Sequence, residues 1–284
     1  MITDKTTDLY GVAGYPLSHT LSPAMHNEAF RTKGINAIYL PFETRDIEGA
    51  MRGMKALGIR GMSITMPHKS SVIPFLDEVD GLSRRIHAVN TVRNDGGRLI
   101  GYNTDALGAL QVLRRITDLS GKTCLLVGAG GAARAIGFVL KENGVNLTLT
   151  NRSEERGKVL AISLECPFIP MGMLERVEPE ILIQTTPLGM APHEDCSPVE
   201  ERILKRGTVV MDVIYNPLET RLLRIAREKG CLTVRGIEMF IQQGAEQFRL
   251  WTGLEPPLEA MTGAVEKALL KGEINDRDST QAGH

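Results

Sequence analysis

One segment in the second half of the chain constrains the fold more than any other. Residues 121–152 read GKTCLLVGAGGAARAIGFVLKENGVNLTLTNR: a buried strand, a glycine-rich turn, a helix that ends at Gly144, and a second strand. This order is a βαβ unit, which sets two parallel strands side by side with a helix on one face. Apolar β-branched runs alternate with helical patterns elsewhere in the chain, so the sequence predicts an α/β fold.

The glycine-rich turn has the spacing of a dinucleotide-binding site. Gly128, Gly130 and Gly131 follow the strand directly, and Ala133 stands at the third position of the motif. Gly128 permits a tight turn, Gly130 lets a pyrophosphate approach the backbone, and the helix N-terminus offers free N–H groups. A tight turn without a ligand is the alternative, but the strand–turn–helix context favours dinucleotide binding.

The end of the second strand indicates which dinucleotide is bound. An NAD site places an acidic residue there for the ribose 2′-hydroxyl, whereas this chain has Asn151, Arg152 and Ser153, with Arg156 one turn later. Two guanidinium groups can hold a 2′-phosphate through charge-assisted hydrogen bonds. The sequence therefore predicts NADP(H) as cofactor; the alternative is a solvated helix start whose arginines pair with neighbouring glutamates.

The change of rhythm along the chain predicts the domain organisation. At 284 residues the chain is long enough for two domains. A first α/β domain is expected over residues 1–104 and the dinucleotide-binding domain over 105–236. The pattern is wholly helical over 237–271, and the polar tail 272–284 is predicted to be disordered.

Composition excludes several other classes of function. Lys and Arg number 33 against 34 Asp and Glu, with no basic block, so neither nucleic acid nor a membrane is an expected partner. The chain has neither an export signal nor a long apolar run, which predicts a cytoplasmic protein. The cysteines and histidines lack ligand spacing, so no metal is expected. Monomer and homodimer both stay open.

Three polar motifs in the first half could form a substrate site. They are SHTLSP (18–23), TMPHK (65–69) and AVNT to GYNTD (88–105), each at a strand end or loop. Singly they could be helix caps, for example with Ser22 as the cap of its own helix. Hydride transfer to a carbonyl, however, leaves an alkoxide that needs a proton. Lys69 is the candidate donor and Asp105 the carboxylate that orients it, unless Lys69 is simply a surface lysine.

Nine motifs, in matching order over nearly the whole chain, resemble the shikimate dehydrogenase family. They are GYPLSHTLSPAMHN, SITMPHK, AVNTV, GYNTD, GAGGAAR, NRSEER, TTPLGM, DVIYNP and GIEMFIQQGAEQFRLWTG. The resemblance implies NADPH-dependent reduction of 3-dehydroshikimate to shikimate, a step toward chorismate and the aromatic amino acids. It also implies an N-terminal substrate domain with a mixed sheet, a Rossmann-type NADP domain, and C-terminal helices that return to the first domain, with the site in the cleft between the domains.

The resemblance also implies the roles of individual residues. Lys69 matches the catalytic lysine and Asp105 its acidic partner. The implied substrate-binding residues are Thr65, Asn90 and Gln243 for ring hydroxyls, Thr20 and Ser22 for the carboxylate, and Tyr215 near that group. The implied cofactor-binding residues are Gly128, Ala129, Gly130, Gly131, Ala132, Asn151, Arg152, Ser153, Arg156 and Gly236.

Three positions depart from the usual family pattern. Thr20 replaces a serine, Ser63 an asparagine and His87 a glycine. The additional methyl group of Thr20 could alter which ring is accepted, so a quinate/shikimate dehydrogenase of broader range is the main alternative. A non-catalytic NADP-binding sensor predicts loss of the proton-transfer pair, yet both of its members are present. His87 is expected to be a structural loop residue.

Overall fold

The computed structural model describes residues 4–17 and 20–281, with side chains as far as residue 270. The chain divides into two compact units, Met1–Thr104 with Gly244–His284, and Asp105–Gln243. The sequence had placed the ends of the two domains at residues 104 and 236. Within the described residues, no helix is long and apolar enough to span a membrane, and no cluster of three or more acidic, His or Cys side chains could hold a metal ion.

The first unit is built on a six-stranded mixed sheet, which confirms the predicted sheet type. Its strands are β1 Asp8–Gly14, β2 Ala37–Glu43, β3 Gly61–Ile64, β4 Glu78–Val79, β5 Thr91–Asp95 and β6 Arg98–Tyr102. The order is β2-β1-β3-β5-β6-β4, with β5 antiparallel to β3 and β6 and the other pairs parallel. The helices α1 Ser22–Thr32, α2 Ile47–Ala56 and α3 Gly81–Ile86 lie between these strands in sequence.

The hairpin between β5 and β6 turns at two consecutive glycines. Gly96 and Gly97 both have positive φ, 60° and 95°, as a two-residue hairpin turn requires. The Gly97 N–H donates to Asn94 Oδ1 at 2.8 Å. This turn sets the register that pairs Thr91 with Tyr102 at the other end of the hairpin.

Two residues flagged by the sequence have local roles that the structure defines. The prediction that Ser22 could cap α1 is wrong: Ser22 is the first helical residue, and Leu21, which holds the cap position, forms no side-chain cap hydrogen bond. Proline in the first turn starts this helix instead. His87 ends α3 in a left-handed conformation, φ 57°, and is exposed, which explains why a glycine suits this position.

The second unit is built on a five-stranded parallel sheet. Its strands are β7 Thr123–Val127, β8 Asn146–Thr150, β9 Ile181–Gln184, β10 Val209–Asp212 and β11 Leu232–Val234. The order is β11-β10-β9-β7-β8, so the chain reverses direction across the sheet between β7 and β9. In doubly wound sheets this reversal opens a crevice at the carboxyl ends of the two strands, where ligands bind.

Helices connect the strands of the second unit and lead back to the first. They are α4 Thr104–Arg114, α5 Gly131–Glu142, α6 Glu154–Ser163, α7 Arg221–Glu228 and α8 Gly236–Thr252. Short 3₁₀ segments lie at Ile73–Phe75, Met171–Arg176 and Glu201–Ile203. The sheet and α7 bury an apolar cluster that includes Leu125, Val210 and Leu222.

The last helix, α9 Leu258–Gln281, packs against α1 in the first unit. C-terminal helices thus return to the first unit, as expected. The helix continues through residues 272–281, where the sequence predicts a disordered tail. Residues 282–284 of that predicted tail lie outside the described part of the chain.

Candidate active site

The loop that carries Lys69 is held by backbone hydrogen bonds on both sides. The Thr65 N–H donates to the Ala13 carbonyl at 3.0 Å, and the Lys69 carbonyl accepts from Val89 N–H at 2.7 Å. The buried ring of His68 contacts a carbonyl oxygen of the loop after β2 at 2.9 Å. Lys69 is half-buried. The backbone of Lys69 is therefore held in place directly after a central strand.

Asn90, just before β5, uses most of its hydrogen-bonding capacity inside the first unit. Its Oδ1 accepts from Thr104 N–H and from the Thr91 hydroxyl, both at 2.8 Å. Its Nδ2 donates to Thr104 Oγ1 at 3.0 Å. The Thr104 N–H can only donate, so it identifies which atom of the amide is oxygen. Because both lone pairs of Oδ1 are occupied, Asn90 has only an N–H left to offer a ligand.

The predicted carboxylate-binding pair lies at the start of α1. The Ser22 N–H contacts Thr20 Oγ1 at 3.4 Å, so the two hydroxyl-bearing residues are neighbours. Ser22 is 8% exposed, and Thr20 and Thr65 are half-buried. The first unit therefore positions Thr20 with Ser22 at one helix start and Thr65 with Lys69 on one loop.

The second unit contains three further predicted site residues. Asp105, in the first turn of α4, is only 6% exposed. Gln243 in α8 donates from Nε2 to the Phe240 carbonyl at 2.9 Å. The Tyr215 ring packs on the Phe240 ring with centroids 4.6 Å apart. Phe240 thus contacts both Gln243 and Tyr215, although Tyr215 is distant from them in sequence.

The loop after β10, which carries Tyr215, is held by a buried carboxyl group. Asp212 accepts hydrogen bonds from Ile214 N–H at 3.0 Å and from Thr220 Oγ1 at 2.8 Å. Burial raises the pKa of Asp212 to about 7, against the effect of these two bonds. Gly236 begins α8 against the same loop, where a Cβ atom would lie 2.2 Å from the Ile214 carbonyl oxygen. Only glycine lets the helix start so close to that backbone.

The glycine-rich turn lies at the carboxyl end of β7 and has room for a phosphate group. Gly128 has φ +121°, and a Cβ atom there would meet Thr185 Oγ1 at 2.3 Å. By contrast, a Cβ on Gly130 would have no heavy atom of the described neighbouring residues within 4 Å. Gly130 caps α5 without a side-chain hydrogen bond. The first-turn N–H groups of α5 therefore suit the oxygens of a pyrophosphate.

The end of β8 presents two exposed arginines. Ser153 caps α6, accepting from Arg156 N–H at 3.5 Å, and Asn151 Nδ2 donates to the Ser153 carbonyl at 2.8 Å. Arg152 and Arg156 are exposed, and neither forms an ion pair with any residue that the structure describes. Glu154 pairs with a lysine one turn later instead. The pairing of these arginines with neighbouring glutamates, which the sequence left open, is not present in the described contacts.

The sequence assigned no role to the loop after β9, which lies beside the glycine-rich turn. Thr185 Oγ1 donates to the Val127 carbonyl at 2.7 Å, at the end of β7. Gln184 Nε2 donates to Thr186 Oγ1 at 2.8 Å and shapes the start of the loop. These residues stand where the strand order reverses. Their signal in the sequence was the TTPLGM motif at a strand end, but which strand lay next to β7 was unknown.

The parallel sheet, its glycine-rich turn at the point of reversal and the exposed arginines at the next strand end define a two-unit, dinucleotide-binding α/β protein. Comparison with known proteins identifies the family. Residues 12–92 match the shikimate dehydrogenase substrate binding domain, and residues 236–266 match the shikimate 5′-dehydrogenase C-terminal domain. A shikimate dehydrogenase (NADP(+)) from Methanothermobacter thermautotrophicus is 42% identical over 284 residues, 95% of this chain and 99% of the relative. The chain belongs to the shikimate dehydrogenase family.

Solved structures agree with this assignment. Shikimate 5-dehydrogenase from Thermus thermophilus, in complex with NADP(H) and shikimate, is 36% identical with a TM-score of 0.86, covering 92% of this chain and 100% of that one. Quinate dehydrogenase from Corynebacterium glutamicum, in complex with NAD, is 30% identical with a TM-score of 0.87, covering 92% and 99%. The fold and the family predicted from the sequence are thereby confirmed.

Proposed function

We propose that this chain catalyses the reversible, NADPH-dependent reduction of 3-dehydroshikimate to shikimate, a step toward chorismate and the aromatic amino acids. The observation that carries the proposal is the match to an NADP(+)-dependent shikimate dehydrogenase over 95% of this chain and 99% of that relative. Both units therefore have counterparts in an NADP(+)-dependent shikimate dehydrogenase. The proposed location is the cytoplasm, and the proposed assembly is a monomer or a homodimer.

Lys69 is the residue that we propose for proton transfer. When bound, NADPH supplies a hydride to the carbonyl carbon of the substrate. The carbonyl oxygen then needs one proton, and the Lys69 ammonium group donates it; in the reverse direction the neutral amine takes that proton back. The proposed role of Asp105 is to orient the lysine and favour its charged form. The two backbone bonds of the Lys69 loop support this role, because they hold the backbone from which the lysine side chain extends.

The remaining polar residues are proposed to hold the substrate. Thr20 and Ser22 bind the carboxylate with their hydroxyl groups, and Tyr215 lies near that group. Thr65, Asn90 and Gln243 bind ring hydroxyls. The satisfied Oδ1 of Asn90 supports a specific form of this contact, in which Asn90 donates and the substrate hydroxyl oxygen accepts.

For the cofactor, the proposed contacts follow the two strand ends of the second unit. The open N-terminus of α5 suits the pyrophosphate, and the two exposed arginines at the end of β8 suit the 2′-phosphate. Gly236 is proposed to lie close to the nicotinamide. The proposed cofactor-binding set is Gly128, Ala129, Gly130, Gly131, Ala132, Asn151, Arg152, Ser153, Arg156 and Gly236.

A second candidate function is oxidation of both quinate and shikimate. The similarity to a quinate dehydrogenase over 92% of this chain favours it. Quinate carries one additional hydroxyl on the carbon that bears the carboxylate, so the pocket of Thr20 would discriminate between the two acids. The absence of an acidic residue at the end of β8 still favours NADP over NAD in either case.

A steady-state assay tests the function and its residues together. Purified protein is supplied with shikimate or quinate and with NADP or NAD, and reduced cofactor is followed by absorbance. We expect kcat/KM for shikimate with NADP to exceed the other three combinations at least about a hundredfold, nearly 3 kcal/mol of transition-state discrimination. Comparable quinate turnover would instead favour the second function.

The variant Lys69→Ala tests the proton-transfer role within that assay. We expect turnover to fall by roughly 10² to 10⁴ while NADPH binding is retained. Lys55→Ala is the matched control, because Lys55 lies in the same unit and forms an ion pair with Asp77 on the surface. Unchanged turnover in Lys69→Ala would contradict the assigned role.

A further inference from the structure

A buried glutamine in the C-terminal part of α8 lies at the centre of a series of hydrogen-bonded polar side chains in the first unit, here called the polar chain. Gln247 is 2% exposed. Its Nε2 donates to Thr91 Oγ1 at 3.0 Å and to the Asn90 carbonyl at 3.3 Å. Its Oε1 accepts from Ser63 Oγ at 2.9 Å and lies 3.2 Å from His26 Nε2. The whole hydrogen-bonding capacity of this amide is therefore used inside the protein.

The polar chain of hydrogen-bonded side chains extends on both sides of Gln247. The Tyr39 hydroxyl donates to Ser63 Oγ at 2.7 Å, and the Thr91 hydroxyl donates to Asn90 Oδ1 at 2.8 Å. Ser63 and Thr91 face each other across β3 and β5, which brings both hydroxyls within reach of one amide. Ser63 stands where the family pattern has asparagine, so in this protein the amide group at this place is supplied by Gln247 in α8.

The donor and acceptor roles in the chain have a single consistent assignment. The Thr104 N–H makes Asn90 Oδ1 an acceptor. The Asn90 backbone carbonyl can only accept, so the Gln247 atom that faces it is Nε2, which also donates to Thr91 Oγ1. The Thr91 hydroxyl then donates its proton to Asn90 Oδ1 at 2.8 Å, a shorter contact than the 3.4 Å to Thr104 Oγ1. The Gln247 amide is thus fixed with its N–H₂ toward Thr91 and its oxygen toward Ser63, because reversing it would place two acceptors together.

His26 is compatible with this assignment as a neutral ring. Desolvation lowers the pKa of His26 to about 3, only partly offset by its hydrogen bond to Gln247. A neutral ring that carries its proton on Nε2 donates to Gln247 Oε1, so the two groups are complementary. No charge then enters the chain at neutral pH, since the other members are hydroxyls and amides.

We propose that Gln247 is a positioning residue for the reaction: through Thr91 it fixes the Asn90 amide, so that the remaining Nδ2–H points to a ring hydroxyl of the substrate. This inference rests on the proposed function, because it assigns a purpose to an Asn90 contact that the function requires. Gln247 acts only through Asn90 and Thr91 and has no contact of its own with substrate. Without its donor, the Thr91 hydroxyl is free to turn away from Oδ1, and of the described side-chain contacts of Asn90 those with Thr104 alone are left.

The variant Gln247→Met tests the proposal in the full-length enzyme, because methionine has nearly the same shape and no amide. We expect kcat/KM for shikimate to fall about tenfold through a higher KM, the effect of one misplaced neutral hydrogen bond. The Kd for NADP should not change, since the residues of the polar chain all lie in the first unit. Combining it with Thr91→Val should add less than about twofold to the larger single effect, because both changes act on Asn90 through one chain.

The matched control is Gln242→Met, which removes an equally large buried amide from the same helix but does not touch the polar chain. It should retain kcat/KM for shikimate. Gln247→Leu is a second variant, which also lacks every donor and acceptor of the amide; it should show the same fall as Gln247→Met. Wild-type kcat/KM in either Gln247 variant with a lower Tm would mean a purely structural role and overturn the proposal.

The same experiment separates this inference from the function on which it rests. Absence of NADP-dependent shikimate oxidation in the wild-type enzyme would overturn the proposed function. An active wild type whose Gln247 variants lose NADP affinity as much as shikimate affinity would overturn only the positioning role.

Discussion

Cofactor preference should depend on two exposed arginines at the end of β8, and replacing both tests this directly. The double variant Arg152→Ala, Arg156→Ala removes two guanidinium groups that make no ion pair among the described residues. Among the described residues, no carboxylate therefore loses an ion-pair partner in this double variant. Ser153, whose side chain caps α6, stays in place, so the helix start should survive.

The expected magnitude follows from the exposure of these side chains. A charge-assisted hydrogen bond to a phosphate is strong when it is dry, but solvent screening reduces exposed pairs to about 1 kcal/mol each. Loss of both contacts therefore costs about 2 kcal/mol, which is roughly 30-fold in KM for NADPH. NADH lacks the 2′-phosphate, so its KM should change less than about twofold.

Steady-state kinetics with each reduced cofactor and 3-dehydroshikimate measure both constants. Lys158→Ala is the control: it removes a positive charge from the same helix, but one that already pairs with Glu154. An equal rise in KM for NADPH and NADH would show that the arginines do not hold the 2′-phosphate. A rise of similar size in Lys158→Ala would indicate a long-range charge effect instead.

Two further predictions concern the loop that carries Tyr215. The folded-state pKa of Asp212 is raised to about 7 from 3.8, so between these pH values the native state holds a proton that the unfolded state releases, and stability falls as pH rises. The variant Asp212→Asn should flatten this fall when Tm is measured from about pH 4 to 8. An unchanged slope of Tm against pH would contradict the prediction. Gly236→Ala should lower stability by about 1–3 kcal/mol in denaturant unfolding, because its Cβ would lie 2.2 Å from the Ile214 carbonyl oxygen; a wild-type midpoint would mean that the loop yields freely.

Local chemistry explains which parts of the fold could be predicted from the sequence. The βαβ unit, the Gly96–Gly97 turn and the helix opened by Gly130 each depend on residues that are neighbours in the chain. The cap of α1 was mistaken because Ser and Pro together permit two starts one residue apart, and the structure adopts the start that makes Leu21 the cap. Strand order could not be predicted, since parallel strands carry no signal that says which neighbour they choose.

The polar chain around Gln247 could not be predicted for a different reason. Gln247 and Asn90 are 157 positions apart, and a glutamine on a helix is an ordinary residue with no motif of its own. Only the structure shows that its amide stands against the hydroxyl of Thr91. The family pattern offered one hint, the missing asparagine at Ser63, but it did not say which residue would compensate.

The two ends of the substrate site should therefore control different properties of the enzyme. Asn90 and the chain behind it are proposed to address a ring hydroxyl that shikimate and quinate share, so this part affects both acids equally. Thr20 is proposed to lie at the carboxylate, next to the carbon where quinate carries its additional hydroxyl. A change in overall affinity thus belongs to the Gln247 chain, whereas a change in the ratio of the two substrates belongs to Thr20. The buried amides of Asn90 and Gln247 are held by neighbouring groups and have little freedom to adapt, which leaves the half-buried Thr20 as the place where substrate range can vary.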